Sequence, residues 1–166
     1  MSTHTLSWSA DEVFEMAEQM EREGAAFYRA AADAADDEEL RKVLLELAAQ
    51  EESHLRTFGE MRARLRDEFG TEEIYDPDGV VTAYLRQWVE GQVFDKSVSH
   101  KELLAKLKTP KDVIDMAIGL EKDSIAFYAG IRGFVPEKLG ADWVDRIIEE
   151  EMKHIVVLTK EMRKYK

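Results

Sequence analysis

Apolar residues recur in alternating steps of three and four along four stretches of the chain, and polar residues interrupt each stripe. In the first stretch, which begins at the capping-box pattern Ser9 to Glu12, the stripe contains Glu21. The second stripe contains Glu51 and His54. Steps of three and four place side chains on one face of an α-helix, so the pattern predicts amphipathic helices that pack through these faces.

These stripes predict an all-α fold in one domain spanning residues 1–166. The helix signals bound four long helices at about 10–35, 38–69, 110–133 and 138–164. Thr109 and Pro110 mark the start of the third, with proline at the first helical position. The segment 71–109 contains a turn at 76–79 and a short amphipathic stretch at 80–94. It suits a long, partly helical crossover that joins two helical hairpins into a four-helix bundle.

The two halves of the chain are copies of one pattern. Five residues recur 100 positions later with the same identity: Glu21, Phe27, Tyr28, Glu51 and His54 become Glu121, Phe127, Tyr128, Glu151 and His154. A helical hairpin cannot bury its apolar face alone, so two hairpins that share one core are the expected assembly.

The spacing also predicts the height of these residues in the bundle. Glu21 and Glu51 each lie fifteen residues from Asp36, so an antiparallel hairpin places them at one level. Glu121 and Glu151 are likewise equidistant from position 136. Pairing the hairpins therefore brings four carboxylates and two imidazoles together near mid-height.

Buried carboxylates must be neutralised by protons or by cations. Two divalent ions balance four carboxylates, and a set of oxygen and imidazole ligands suits iron or manganese better than magnesium, calcium or structural zinc. The sequence thus predicts two iron ions, with manganese or zinc as possible substitutes. The predicted metal ligands are Glu21, Glu51, His54, Glu121, Glu151 and His154.

Tyr28 and Tyr128 lie two turns beyond Glu21 and Glu121 on the same helical face. Two interpretations of them stay open: a hydrogen bond from each phenol to a ligand carboxylate of the opposite pair, or ordinary core packing. Trp88 leaves two interpretations as well, as a cover for the bundle or as a subunit contact.

Several polar residues near these stripes are not predicted to be ligands. His4 and His100 have no counterpart in the repeat. Five acids off the stripe or away from the ligand level are predicted to be solvated: Glu18, Glu23, Glu52, Glu149 and Glu150.

Composition excludes several classes of function. A net charge of -12 disfavours nucleic acid and anionic membranes as partners. The chain has no cysteine, which excludes a disulfide framework, a thiol nucleophile and an iron–sulfur cluster. Neither an export signal nor an apolar run long enough to span a membrane is present, so we expect a cytoplasmic protein.

The paired Glu-x6-Tyr and Glu-x-x-His motifs, spread over residues 12–165, resemble the rubrerythrin branch of the ferritin-like superfamily. The resemblance implies a di-iron centre bridged by Glu51 and Glu151, with the other four ligands completing the coordination. It also implies reduction of hydrogen peroxide or dioxygen and a homodimer, since the family commonly forms dimers.

Two features of this chain depart from the rubrerythrin pattern. Ser124 stands where rubrerythrins carry a further ligand carboxylate, and a chain without cysteine cannot hold their rubredoxin-type iron. Electrons would have to come from a separate donor protein. The sequence therefore predicts a non-haem di-iron oxidoreductase with no separate acid or base. The alternatives are a ferritin-like protein that oxidises iron to sequester it, which the absence of a fifth helix disfavours, and a bundle held by zinc or manganese without turnover.

Overall fold

The computed structural model describes residues 8–69, 76–90, 99–133, 135 and 137–165, and nearly all of them are α-helical. The helices are α1 (Ala10–Ala34), α2 (Glu38–Phe69), α3 (Val80–Glu90), α4 (His100–Ala105), α5 (Pro110–Arg132) and α6 (Ala141–Met162). A short 3-10 turn, Glu137–Leu139, precedes α6. Three positions used in the sequence analysis, His4, Phe94 and Pro136, lie outside the described residues.

The starts of the helices follow local chemistry. The side chain of Ser9 accepts a hydrogen bond from the amide of Glu12, whose carboxylate accepts from the amide of Ser9. Thr109 and Asp112 cap α5 in the same way. The fourth long helix was predicted from about residue 138, but α6 begins at Ala141. Gly140 has a left-handed φ of 108°, so the backbone turns there before the helix can start.

Two apolar clusters show how the four long helices run. One contains residues from the first half of α1, the second half of α2, the second half of α5 and the first half of α6. The other contains the opposite halves. Each long helix is therefore antiparallel to both of its neighbours, and the connection from α2 to α5 must run the length of the bundle.

The described part of this crossover lies against α1 and α5. In α3, Leu85 is fully buried and the ring of Trp88 lies 5.5 Å from that of Phe127, so Trp88 covers the bundle. In α4, the ring of His100 packs edge-on against Phe27 of α1. Of the described helices of the crossover, α4 packs mainly against α1.

The structure confirms the predicted all-α bundle of two hairpins. No helix in the described ranges combines the length and the apolar character that crossing a membrane requires.

Asp11, in the first turn of α1, ties the two helices of the first hairpin together. Its carboxylate accepts hydrogen bonds from the guanidinium groups of Arg62 and Arg66 on α2, and these bonds hold its pKa well below the usual range. A lowered carboxyl pKa stabilises the folded state above the unfolded-state pKa, and this stabilisation is lost as the pH falls through the folded-state value.

We therefore expect Asp11→Asn to lower the free energy of unfolding by about 1 kcal/mol at pH 7. Urea unfolding at several pH values tests this, and the difference from wild type should shrink as the pH falls below 3.8, the ordinary aspartate pKa. Asp145→Asn is the control, because its pair with Arg132 in the second hairpin is more exposed. Equal losses in the two variants would contradict the role given to Asp11.

Candidate metal centre

All six predicted ligands lie in one polar layer between the two apolar clusters. α1 and α5 each supply one glutamate, while α2 and α6 each supply a glutamate and a histidine three residues later, one helical turn apart on the same face. None of the six residues is more than 4% exposed. The residues are Glu21, Glu51, His54, Glu121, Glu151 and His154.

The layer divides into two overlapping groups of possible ligand atoms. Glu21 and His54 form what we call the first position, and Glu121 and His154 the second. Each position combines with both Glu51 and Glu151 into a set whose ligand atoms all lie within 4.8 Å of one another. Two carboxylates are therefore placed to reach both positions.

The histidines turn the same ring atom toward the carboxylates. Nδ1 of His54 lies 3.1 Å from Glu151 and 3.4 Å from Glu21. Nδ1 of His154 lies 2.9 Å from Glu151, 3.1 Å from Glu51 and 3.2 Å from Glu121. The two rings stack with centroids 5.7 Å apart.

The tyrosines connect the two hairpins across the centre. Tyr28 of α1 donates a hydrogen bond to Glu121 of α5, and Tyr128 of α5 donates one to Glu21 of α1. Burial, together with the facing carboxylate, raises the pKa of both phenols well above their usual value, so both stay protonated donors. The crossed pair orients the two glutamates that are not shared.

The other ring nitrogens contact two residues that the sequence analysis missed. Nε2 of His54 lies 2.6 Å from a carboxylate oxygen of Glu150, and Nε2 of His154 lies 2.9 Å from the amide oxygen of Gln50. The prediction that Glu150 is merely a solvated acid is wrong, although its side chain remains 46% exposed. The one sequence feature that could have pointed to Gln50 and Glu150 is that each directly precedes a shared glutamate.

Removing so many charges from water shifts the pKa values of the cluster. Burial and the charge of Glu51 raise the pKa of Glu21 well above its usual value, and burial raises that of Glu121 to about 8. Burial opposes charge on the histidines too, but the close contacts of Nδ1 with the carboxylates of Glu151 and Glu21 raise the pKa of His54 to about 11. Contacts with Glu121, Glu151 and Glu51 raise that of His154 to about 12. Protonated imidazoles thus balance part of the carboxylate charge when no metal is bound.

The cluster fits two divalent cations better than protons alone. Five buried ligand atoms have no hydrogen-bond partner: one oxygen each of Glu21 and Glu51, both oxygens of Glu151, and Nδ1 of His54. Buried polar atoms without partners are rare in folded proteins, and carboxylates with imidazole nitrogen form a typical ligand set for iron or manganese.

Comparison with known proteins assigns the chain to a family. The family model for rubrerythrin matches residues 12–162, which is most of the chain. The chain belongs to the rubrerythrin family. Among curated proteins, no sequence matches this chain.

A solved structure supports the same fold. A Thermotoga maritima protein, described as ferritin-like and diiron-carboxylate and solved at 2.30 Å, is 27% identical. The match covers 96% of this chain and 98% of that one, with a TM-score of 0.68. The ferritin-like fold expected from the sequence is thereby confirmed.

In neither half is the unshared glutamate followed by a carboxylate one helical turn later. Ser124 lies on α5 one turn after Glu121, and its counterpart on α1 is Gly24. A Cβ atom added at Gly24 would lie 2.8 Å from the carboxylate of Glu51, so the helix is bare where that carboxylate approaches. His100, by contrast, contacts Glu23 and lies outside both groups of ligand atoms.

Gly24→Ala should therefore separate stability from metal binding. Alanine favours helix over glycine by about 1 kcal/mol, but the new methyl group displaces the Glu51 carboxylate. We expect weaker Mn²⁺ binding in calorimetry without a loss of thermal stability in the metal-free protein.

Gly119→Ala is the matched control, because a Cβ atom at that position of α5 meets nothing within 4 Å. It should leave metal binding unchanged. If Gly24→Ala bound Mn²⁺ as wild type does, the close approach of Glu51 would have no functional consequence.

Metal binding should release protons. The pKa of His54 is about 11 and that of His154 about 12 in the metal-free protein, so both Nδ1 atoms must lose a proton at pH 7 before they can ligate. We expect at least two protons per pair of Mn²⁺ ions, and an affinity that rises with pH. Calorimetry in two buffers of different ionisation enthalpy measures this number, and identical heats in both buffers would contradict it.

Proposed function

We propose that the six residues bind two iron ions and that the protein is a non-haem di-iron oxidoreductase that reduces hydrogen peroxide or dioxygen. The observation that carries this proposal is the pair of overlapping ligand groups that share Glu51 and Glu151. Membership of the rubrerythrin family and the ferritin-like fold support it. Manganese and zinc are possible substitutes, because they accept the same ligands.

When bound, the iron pair would supply one electron per ion, which is enough to reduce one hydrogen peroxide with two protons to two water molecules, or one dioxygen with two protons to hydrogen peroxide. The protein's own residues would position the ions and exclude bulk water from them. Glu51 and Glu151 lie within reach of both positions and would hold the two ions. Their buried charge favours cations, and the apolar clusters on either side exclude bulk water from the layer.

The tyrosines have an orienting role in this proposal. Each phenol donates to a glutamate of the other hairpin, which fixes one carboxylate oxygen and leaves the second for the metal. Oxygen Oε2 of Glu21 is such a free oxygen, since it is buried and has no hydrogen-bond partner. We assign no separate acid or base.

Electrons would come from an external donor protein. The chain has no cysteine, so it cannot bind a rubredoxin-type iron of its own. We further propose a homodimer, as the family resemblance implies, and a location in the cytoplasm. A net charge of -12 supports the absence of a nucleic-acid partner.

A second candidate is a ferritin-like function, in which iron is oxidised in order to be sequestered. The ferritin-like fold shared with the Thermotoga protein supports this alternative as well. Assembly state distinguishes the two: a sequestering cage would elute far above dimer size in gel filtration and retain many ferric ions per chain.

The ligand proposal is tested by Glu51→Ala and Glu151→Ala. Each removes a carboxylate placed to reach both positions, so each should abolish binding of two Fe²⁺ ions per chain and the oxidation of Fe²⁺. Metal analysis after anaerobic loading and optical detection of ferric iron measure both. Glu149→Ala, which removes an exposed carboxylate nearby, is the control and should change neither.

The choice of oxidant is tested on the same loaded protein. Peroxide and air are added separately under single-turnover conditions, and the two oxidation rates are compared. Faster oxidation by peroxide supports a peroxidase.

Retained oxidation of Fe²⁺ in either the Glu51→Ala or the Glu151→Ala variant would overturn the proposed centre.

A further inference from the structure

We propose that the two metal positions are unequal, and that the first position, with Glu21 and His54, binds its ion more tightly than the second. This inference rests on the two-metal site proposed above. The difference that carries this inference is the residue that contacts Nε2 of each histidine, which is a carboxylate at His54 and an amide at His154.

The outer contacts arise from the antiparallel packing of α2 and α6. In this packing, His54 of α2 contacts Glu150 of α6. His154 of α6 contacts Gln50 of α2, which lies four residues before His54. Because Nδ1 of each ring faces the buried carboxylates, Nε2 is the atom that contacts the outer residue. A carboxylate oxygen and an amide oxygen both accept hydrogen bonds, so each ring donates from Nε2 and keeps Nδ1 for a metal.

The inner contacts are of the same kind at both positions, although Nδ1 of His154 contacts three carboxylates and Nδ1 of His54 contacts two. Each unshared glutamate accepts a hydrogen bond from a tyrosine of the other hairpin. Each position also combines with the same two shared glutamates. In the repeat, Gln50 and Glu150 are counterparts, so the duplicated pattern differs in charge directly behind the ligand histidines.

A carboxylate behind a ligand histidine strengthens metal binding in two ways. It accepts the ring N–H more strongly than a neutral amide does, which raises the electron density on the opposite nitrogen. It also adds a negative charge near the ion, and solvent screens this charge only in part because the Glu150 side chain is 46% exposed. Removing such a partner typically lowers metal affinity by about 10-fold to 100-fold.

Glu150 acts here as a positioning residue, because it contacts His54 and not the metal. Its side chain is 46% exposed, so it lies at the edge of the layer on the outer side of α2 and α6. Because substitution of Glu150 removes no buried packing, a change in metal binding can be attributed to the loss of its charge.

The test loads the protein with one equivalent of Zn²⁺ and follows the imidazole nitrogens by NMR with ¹⁵N-labelled histidine. In singly loaded protein, the ratio of the two occupancies equals the ratio of the two intrinsic affinities, whatever the coupling between the ions. We expect the ring signals of His54 to shift first and the occupancy ratio to favour the first position by about 10-fold or more.

Four variants assign the cause. Glu150→Gln keeps an acceptor and removes the charge, so the ratio should fall toward one. Gln50→Glu adds a charge at the second position and should also bring the ratio toward one, and the double exchange should invert it. Glu149→Gln changes the same net charge at an exposed neighbour and should leave the ratio unchanged.

The outcomes separate this inference from the proposed function. Binding of two Zn²⁺ ions with a ratio near one in wild type, or with a ratio that neither Glu150→Gln nor Gln50→Glu changes, would overturn the inference alone. Failure to bind Zn²⁺, Mn²⁺ or Fe²⁺ at all would overturn the proposed centre and the inference together. Because Gln50→Glu removes no existing contact other than the amide, it tests the inference even if Glu150→Gln destabilises the protein.

Discussion

Four carboxylates and two imidazoles share one buried layer at the middle of this bundle, and their charge must be balanced there. An unpaired buried carboxylate is strongly unfavourable, so the fold depends on what neutralises the layer. In the metal-free protein the raised pKa values of His54 and His154 provide part of the balance as imidazolium ions. Two divalent cations would provide it fully and would also partner the orphaned oxygens of Glu51 and Glu151.

The architecture concentrates this charge without exposing it. Apolar clusters lie on both sides of the layer, and the described helices of the crossover cover α1 and α5. Hydrogen bonds from Tyr28 to Glu121 and from Tyr128 to Glu21 tie the hairpins together at the same level. The side shared by α2 and α6 is different, because there the histidines reach the half-exposed Glu150 and the exposed Gln50.

Features that depend on a single helix or on the internal repeat could be predicted from the sequence. Glu51 and His54 are three residues apart within an apolar stripe, and helix geometry alone places them on the buried face. Equal distances from a turn predicted the common level of Glu21 and Glu51, and the capping residues Ser9 and Thr109 marked two helix starts.

Contacts that depend on the register between helices were not predictable in this way. Glu150 and Gln50 lie off the apolar stripes, and only the packing of α2 against α6 brings them to the histidines. The close approach of Glu51 to Gly24 is equally a property of the packed hairpin. The open choice at Tyr28 and Tyr128 required knowing which carboxylate faces each phenol.

The central claim is that one buried layer holds two ions that share Glu51 and Glu151. Anomalous diffraction from crystals of the protein saturated anaerobically with Mn²⁺ tests it most directly. The structure predicts two anomalous peaks, one beside His54 and one beside His154, both within bonding distance of the two shared carboxylates. A single peak, or peaks outside this layer, would contradict the claim.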